Sequence, residues 1–116
     1  MSAQSSPAAE VFAALGDPTR LALVQRLSAG GPASITRLSD GAGVTRQAVT
    51  RHLEVLEAAG LVRGLRQGRE RVWQLERDGF TVAQAFLEHV SRGWDEALER
   101  LRHFVEDEPG EGGSWA

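Results

Sequence analysis

One stretch, residues 44–62, Val-Thr-Arg-Gln-Ala-Val-Thr-Arg-His-Leu-Glu-Val-Leu-Glu-Ala-Ala-Gly-Leu-Val, constrains the fold more than any other part of the chain. Val49, Leu53 and Leu56 recur at i, i+4 and i+7, so one side of a helix faces a core. Thr45 suits the cap of that helix, because its hydroxyl can accept a bond from an orphan backbone N–H. Gly60 suits its left-handed stop. Arg46, Gln47, Thr50 and Arg51 fall on another side, within an arc of about 140° at ~100° per residue. Their side chains can bond phosphates and base edges, and they cluster at the helix N-terminal end, the end that enters a major groove. Glu54, one turn further on, is read as a solvated acid.

Upstream, the pattern sets three more helices. Pro7 suits a first helical turn, and Val11, Phe12 and Leu15 share a side of the helix that Gly16 ends. Asp17-Pro18 opens the next, with Asp as cap and Pro at the first position. Leu21, Val24 and Leu27, backed by Leu23, give that helix an apolar face, and Gly30-Gly31-Pro32 stops it. Ser34 caps a short helix through Asp40, with Ile35 and Leu38 inward. The Gly41-Ala42-Gly43 turn then leads to the capped helix at 46, which is the helix-turn-helix plan. Residues 61–65 and 70–75 are strand candidates around a basic loop, Arg66-Gln67-Gly68-Arg69, and read as a hairpin. A long helix is expected over 80–107, with Val82, Phe86, Val90, Ala97, Leu101 and Phe104 on one stripe. That stripe is larger than one small domain can cover, so a second copy of the chain is the expected partner. The fold class is mostly α with a small β-hairpin. Residues 1–7 and 108–116 are expected to be disordered tails around one domain, 8–107.

The 116 residues suit one domain. The chain has no Cys, which removes disulfides, thiolate metal sites and cysteine nucleophiles, and fits a cytoplasmic protein. No apolar run reaches membrane-spanning length, and the first residues show no secretory pattern. The net charge is −3, which looks wrong for a nucleic-acid partner until it is mapped. Residues 37–77 carry eight Arg against five acids, whereas residues 78–116 carry three Arg against nine acids. A basic reading segment beside an acidic one orients a protein on DNA. Nothing has the spacing of an active site: there is no phosphate-binding glycine loop, nucleophile elbow or zinc-protease signature. No catalytic residue and no cofactor is expected.

Three segments together resemble the ArsR/SmtB (arsenical-resistance repressor) family: Phe12-x-x-Leu15-Gly16-Asp17-Pro18-Thr19-Arg20, the block 46–62, and the wing 69–75, with Trp73 where the family often has Tyr. The similarity covers residues 9–107. It implies a homodimeric winged helix-turn-helix repressor binding double-stranded DNA at a palindromic operator. Dimerisation through the terminal helices is then expected to use Val11, Phe12, Leu15, Phe86, Val90, Trp94, Ala97, Leu101 and Phe104. DNA contact is expected at Thr45, Arg46, Gln47, Thr50 and Arg51, and at Arg66 and Arg69 of the wing tip. The chain departs from the family's metal sensors. It lacks Cys in the third helix, and Leu87 stands where a zinc site along the last helix would have Asp. His89 and His103 lie fourteen positions apart, about 21 Å at 1.5 Å per residue, too far to share a metal within one chain. Trp94-Asp95-x-x-Leu98-x-x-Leu101 is similar to the metal-free branch. No metal site is expected, and the inducing signal, including any small-molecule effector, is left open. Two alternatives remain: a zinc sensor using His89 and His103 across a dimer, and a winged-helix module that binds protein. His52 is expected to be a buried or half-buried imidazole bonded to backbone.

Overall fold

A computed structural model of the chain describes residues 6–106. The expected tails at 1–5 and 108–116 lie outside them. Five helices and three short strands follow in the order α1 (Pro7–Leu15), α2 (Pro18–Gly30), β1 (Ala33–Ser34), α3 (Ile35–Ser39), α4 (Arg46–Ala58), β2 (Val62–Gln67), β3 (Glu70–Leu75) and α5 (Arg77–Glu106). The chain through Gln84 forms one compact unit, and from Ala85 onward a second. No helix among the described residues is long and apolar enough to cross a membrane.

Local chemistry sets most boundaries. Ser6, Asp17, Ser34 and Thr45 cap α1 to α4, each side-chain oxygen accepting a backbone N–H two or three residues on. Ser6, inside the expected tail, is thus the cap of α1, and Pro7 opens the helix as its suitability for a first turn implied. The helix-turn-helix is α3 and α4. Val49, Leu53 and Leu56 of α4 are fully buried, joined by Leu23, Val24 and Leu27 of α2, Leu38 of α3, and Leu61, Val62 and Trp73 of the sheet.

The apolar faces of α1 and α2 are rotated from expectation. On α2 the buried residues are Leu23, Val24 and Leu27, and Leu21 lies about 60° beyond Val24 at ~100° per residue; it is exposed. On α1 the inward stripe is Val11 and Ala14, so Phe12 faces out and Leu15 is half-buried against the core. Val11, expected on a dimer face, is only 2% exposed. Its side chain is packed in the core of the chain itself.

The sheet is antiparallel in the order β1-β3-β2, one strand more than the expected hairpin. β3 is central. Trp73 pairs with Ala33 on one side and Gly64 on the other, so small neighbours flank the largest buried side chain. The Gly64 register has a second effect. A Cβ there would lie 2.6 Å from Nε of Arg71, whose guanidinium carbon sits 4.4 Å from the centroid of the Trp73 ring. Glu57 of α4 fixes the arrangement, accepting from Gly64 N–H at 3.2 Å and pairing with Arg71 at 3.5 Å. β2 and β3 close on a two-residue turn, Gly68-Arg69, so Arg66 lies in the strand and only Arg69 lies in the turn.

The long helix starts at Arg77, three residues before the expected position. Its first turn meets the end of α4 main chain against main chain. Gly60, in the left-handed region at φ 77°, accepts the N–H of Gly79 at 2.7 Å. A Cβ on Gly79 would stand 2.7 Å from the Ala59 carbonyl oxygen, so no larger residue fits that crossing.

Within the second unit, α5 leaves Phe86, Leu87, Val90, Trp94, Leu98, Leu101 and Phe104 exposed, Trp94 by 63%. Ala97 is half-buried. At ~100° per residue these side chains span an arc of about 120°, and Leu87 and Leu98 widen the stripe expected from sequence.

Candidate nucleic-acid interface

The polar side of α4 has the composition expected of it, but its members differ in state. Arg46, Gln47 and Arg51 are exposed. Thr50 is half-buried, and its hydroxyl donates to the Arg46 carbonyl at 3.0 Å. Thr45 is engaged as the helix cap, accepting the Ala48 N–H at 3.0 Å. The buried triad of Val49, Leu53 and Leu56 fixes the rotation of the helix, and that rotation turns the three exposed side chains outward.

Several arginines are engaged within the fold and others are not. Arg20 of α2 donates to the Ala14 and Ala13 carbonyls at 2.6 and 3.4 Å, and so satisfies the orphan acceptors at the end of α1. Arg26 does the same for α3, donating to the carbonyls of Leu38, Arg37 and Asp40 at 2.8, 2.8 and 3.2 Å. Arg63 pairs with Glu76 at 3.5 Å, and Arg71 with Glu57. Among the described residues, Arg46, Arg51, Arg66 and Arg69 have no acidic partner within 4 Å. All four are exposed and lie on α4 or the hairpin; Arg37 of α3 and Arg77, Arg92 and Arg100 of α5 are likewise exposed and form no salt bridge among the described residues.

Two of them are brought to one place. A cleft of about 130 Å³ is lined by Ser34, Ile35 and Thr36 of β1 and α3, Arg46 of α4, and Arg69, Glu70 and Arg71 of the hairpin. Sequence reasoning placed Arg46 and Arg69 on separate elements and did not bring them together. It also missed Thr36 and Arg71. The alternation of Arg71 with Trp73 put both on one face of β3, but the gap left by Gly64 depends on strand register.

His52 is half-buried, as expected, yet its partners are side chains, not backbone. Its Nδ1 lies 3.3 Å from an Arg20 guanidinium nitrogen and 3.9 Å from Asp17 Oδ2. The contact joins α4 to the α1–α2 junction. The Asp17 carboxyl is held below its ordinary value, chiefly by the Arg20 backbone N–H; desolvation opposes this, and the charges of Arg20 and His52 and the Thr19 N–H add to it.

The last-helix histidines do not converge on a ligand set. His103 pairs with Glu99 at 3.2 Å. Among the described residues no three His, Cys, Asp or Glu side chains gather where a metal ion could be held.

Comparison with known proteins agrees with this architecture. Residues 15–64, from the end of α1 into β2, match a helix-turn-helix domain family. The chain is 37% identical over 108 residues to the helix-turn-helix-type transcriptional regulator Rv2034 of Mycobacterium tuberculosis, covering 93% of this chain and 96% of that protein. An ArsR-like transcriptional regulator from Rhodococcus sp. RHA1 superposes with a TM-score of 0.74 at 32% identity, over 84% of this chain and 92% of that one. A crystal structure of an ArsR family transcriptional regulator gives 0.71 at 33%, over 82% of this chain and 97% of that one. With the winged helix-turn-helix in place and relatives matched along nearly their whole length, the chain belongs to the ArsR family of transcriptional regulators.

Proposed function

We propose that this regulator is a repressor that binds a palindromic operator as a homodimer and does so without a metal ion. The observation that carries the reading is that Arg46, Arg51, Arg66 and Arg69, exposed and with no acid within 4 Å among the described residues, stand on the N-terminal half of α4 and on the hairpin, the two elements that a winged helix-turn-helix offers to a duplex. Gln47 and Arg51 read base edges, Gln to adenine and Arg to guanine. Arg46, at the first position of α4, holds phosphate, which positions the helix without specifying sequence. Arg66 and Arg69 take backbone or minor groove. Thr45 and Thr50 keep the helix end in shape, and any contact they make to DNA is secondary to their bonds within α4.

Dimerisation is supported by the exposed apolar stripe of α5 and by exposed Phe12 on α1. The absence of Cys, Leu87 in place of a carboxylate, and the pairing of His103 with Glu99 support metal independence.

Selection of bound duplexes from a random pool tests the reading, with wild type, Arg46→Ala, Gln47→Ala and Arg51→Ala, each with and without chelator. The wild type should enrich an inverted repeat with half-sites about one DNA turn apart. Gln47→Ala and Arg51→Ala should each relax one position per half-site at a cost of about 1–3 kcal/mol, whereas Arg46→Ala should weaken all sequences alike. If both base-reader variants keep the wild-type preference, the assignment of readers fails. A wild type with no inverted-repeat preference refutes the palindromic operator, and one that binds no duplex favours a protein-binding module. Stoichiometric zinc-induced release that is lost in His89→Ala overturns metal independence.

A further inference from the structure

The cleft between α3, α4 and the hairpin is lined by three arginines and one acid. Arg71 is held between the Trp73 ring and Glu57. Arg46 and Arg69 are exposed and without an acidic partner among the described residues. Thr36 adds an exposed hydroxyl with no bond of its own among them, and the Ser34 oxygen already accepts the Arg37 N–H at 3.3 Å. Glu70 is the one acid in the lining. It lies beyond 4 Å of every described guanidinium, so it moderates the field without closing an ion pair.

Such a lining is rich in donors, with Glu70 its one carboxylate, and it has room for a phosphate group. We infer that Arg46 and Arg69 close on one and the same DNA backbone phosphate, with Thr36 beside it. This rests on the DNA-binding reading above and goes beyond it, because the helix and the wing are otherwise independent contacts to different parts of the duplex. A phosphodiester has two non-bridging oxygens, one for each guanidinium, and charge-assisted bonds of this kind are the strong ones. It carries a single negative charge. Glu70 in the wall penalises a multiply charged phosphate more than a singly charged diester, so the cleft selects backbone phosphate over the free ion. The shared phosphate acts as a register pin: it fixes the hairpin relative to the first turn of α4 on the DNA, and so fixes which bases Gln47 and Arg51 meet.

The test is a scan of single neutral methylphosphonates along a duplex selected by the wild-type protein, with Kd measured for wild type, Arg46→Ala, Arg69→Ala and the double variant. One phosphate per half-site should stand out, its neutralisation weakening wild-type binding by about tenfold. At that same phosphate both single variants should lose most of the sensitivity, and the double variant should bind no worse than the weaker single within about twofold. If Arg46 and Arg69 report on different phosphates, or their losses multiply, the shared clamp is wrong while DNA binding stands. If the wild type does not bind the duplex, the DNA-binding reading falls and takes the clamp with it. Inorganic phosphate should compete no better than chloride at equal ionic strength, and Glu70→Gln should make it a better competitor. Strong competition by phosphate against the wild type would overturn the choice of a diester. Both arginines are exposed, so circular dichroism should show an unchanged fold in every variant.

Discussion

Arginine in this chain has two occupations, and sequence alone does not separate them. Arg20 and Arg26 sit on α2 among apolar residues, and each closes the carbonyl end of another helix. Arg26 reaches acceptors eleven to fourteen positions along the chain, a distance that no local pattern reveals. Arg46 and Arg51 were legible as outward residues because the Val49, Leu53 and Leu56 spacing fixes where outward is. His52 was legible as half-buried for the same reason, but its partners come from a different helix. Asp17 was legible as a cap, and its environment adds a consequence for acid stability. Its folded pKa lies below the unfolded value of about 3.9. The stability it contributes is therefore present above that value and is lost as pH falls through the lower, folded one. Asp17→Asn keeps a capping oxygen and removes the charge. Its thermal midpoint should fall less steeply than wild type below about pH 4. Parallel melting curves for the two proteins through the acid range would show that the carboxylate makes no such contribution.

At the scale of elements, the helices were readable and the sheet only half so. Helix ends depend on neighbours in sequence, and Asp17-Pro18, Ser34 and Thr45 all mark starts within a residue. The rotation of α1 and α2 was less legible, because Leu21 and Phe12 are apolar but the packing partner decides which side is inward. β1 is two residues long and exists only because β3 lies beside it, so no periodicity announces it. The hairpin carries its own test of register. Gly64 leaves space for Arg71 over Trp73, and a methyl group there would strike a flexible side chain, not backbone. Gly64→Ala should therefore move the guanidinium off the ring without blocking the sheet. We expect Gly64→Ala and Arg71→Ala each to cost about 0.5–2 kcal/mol in urea unfolding. The double variant should cost little more than the worse single, because both remove the same contact. Additive losses would mean that Gly64 serves another purpose.

For the whole molecule, the acidic C-terminal part and the basic middle follow from counting charges, whereas the quantity of exposed apolar surface on α5 needed coordinates. Phe86, Val90, Trp94, Leu101 and Phe104 are 43–63% exposed, so covering what remains of each brings about half of the ~1.5–3 kcal/mol that full burial of such a side chain yields. Leu101→Glu places a carboxylate in that stripe. Sedimentation should then change from dimer to monomer at micromolar concentration, with helicity kept and affinity for the selected duplex reduced by more than tenfold. A variant that still sediments as a dimer would exclude Leu101 from the interface. The crossing of Gly60 and Gly79 has a mechanical meaning as well as a steric one. Side chains between two helices act as a compliant layer, able to change rotamer and absorb a small shift. Here that layer is missing: one peptide group bears directly on another, through a hydrogen bond too short to stretch far. The end of α4 and the first turn of α5 therefore behave as a rigid joint, and a displacement of either is delivered to the other almost undamped.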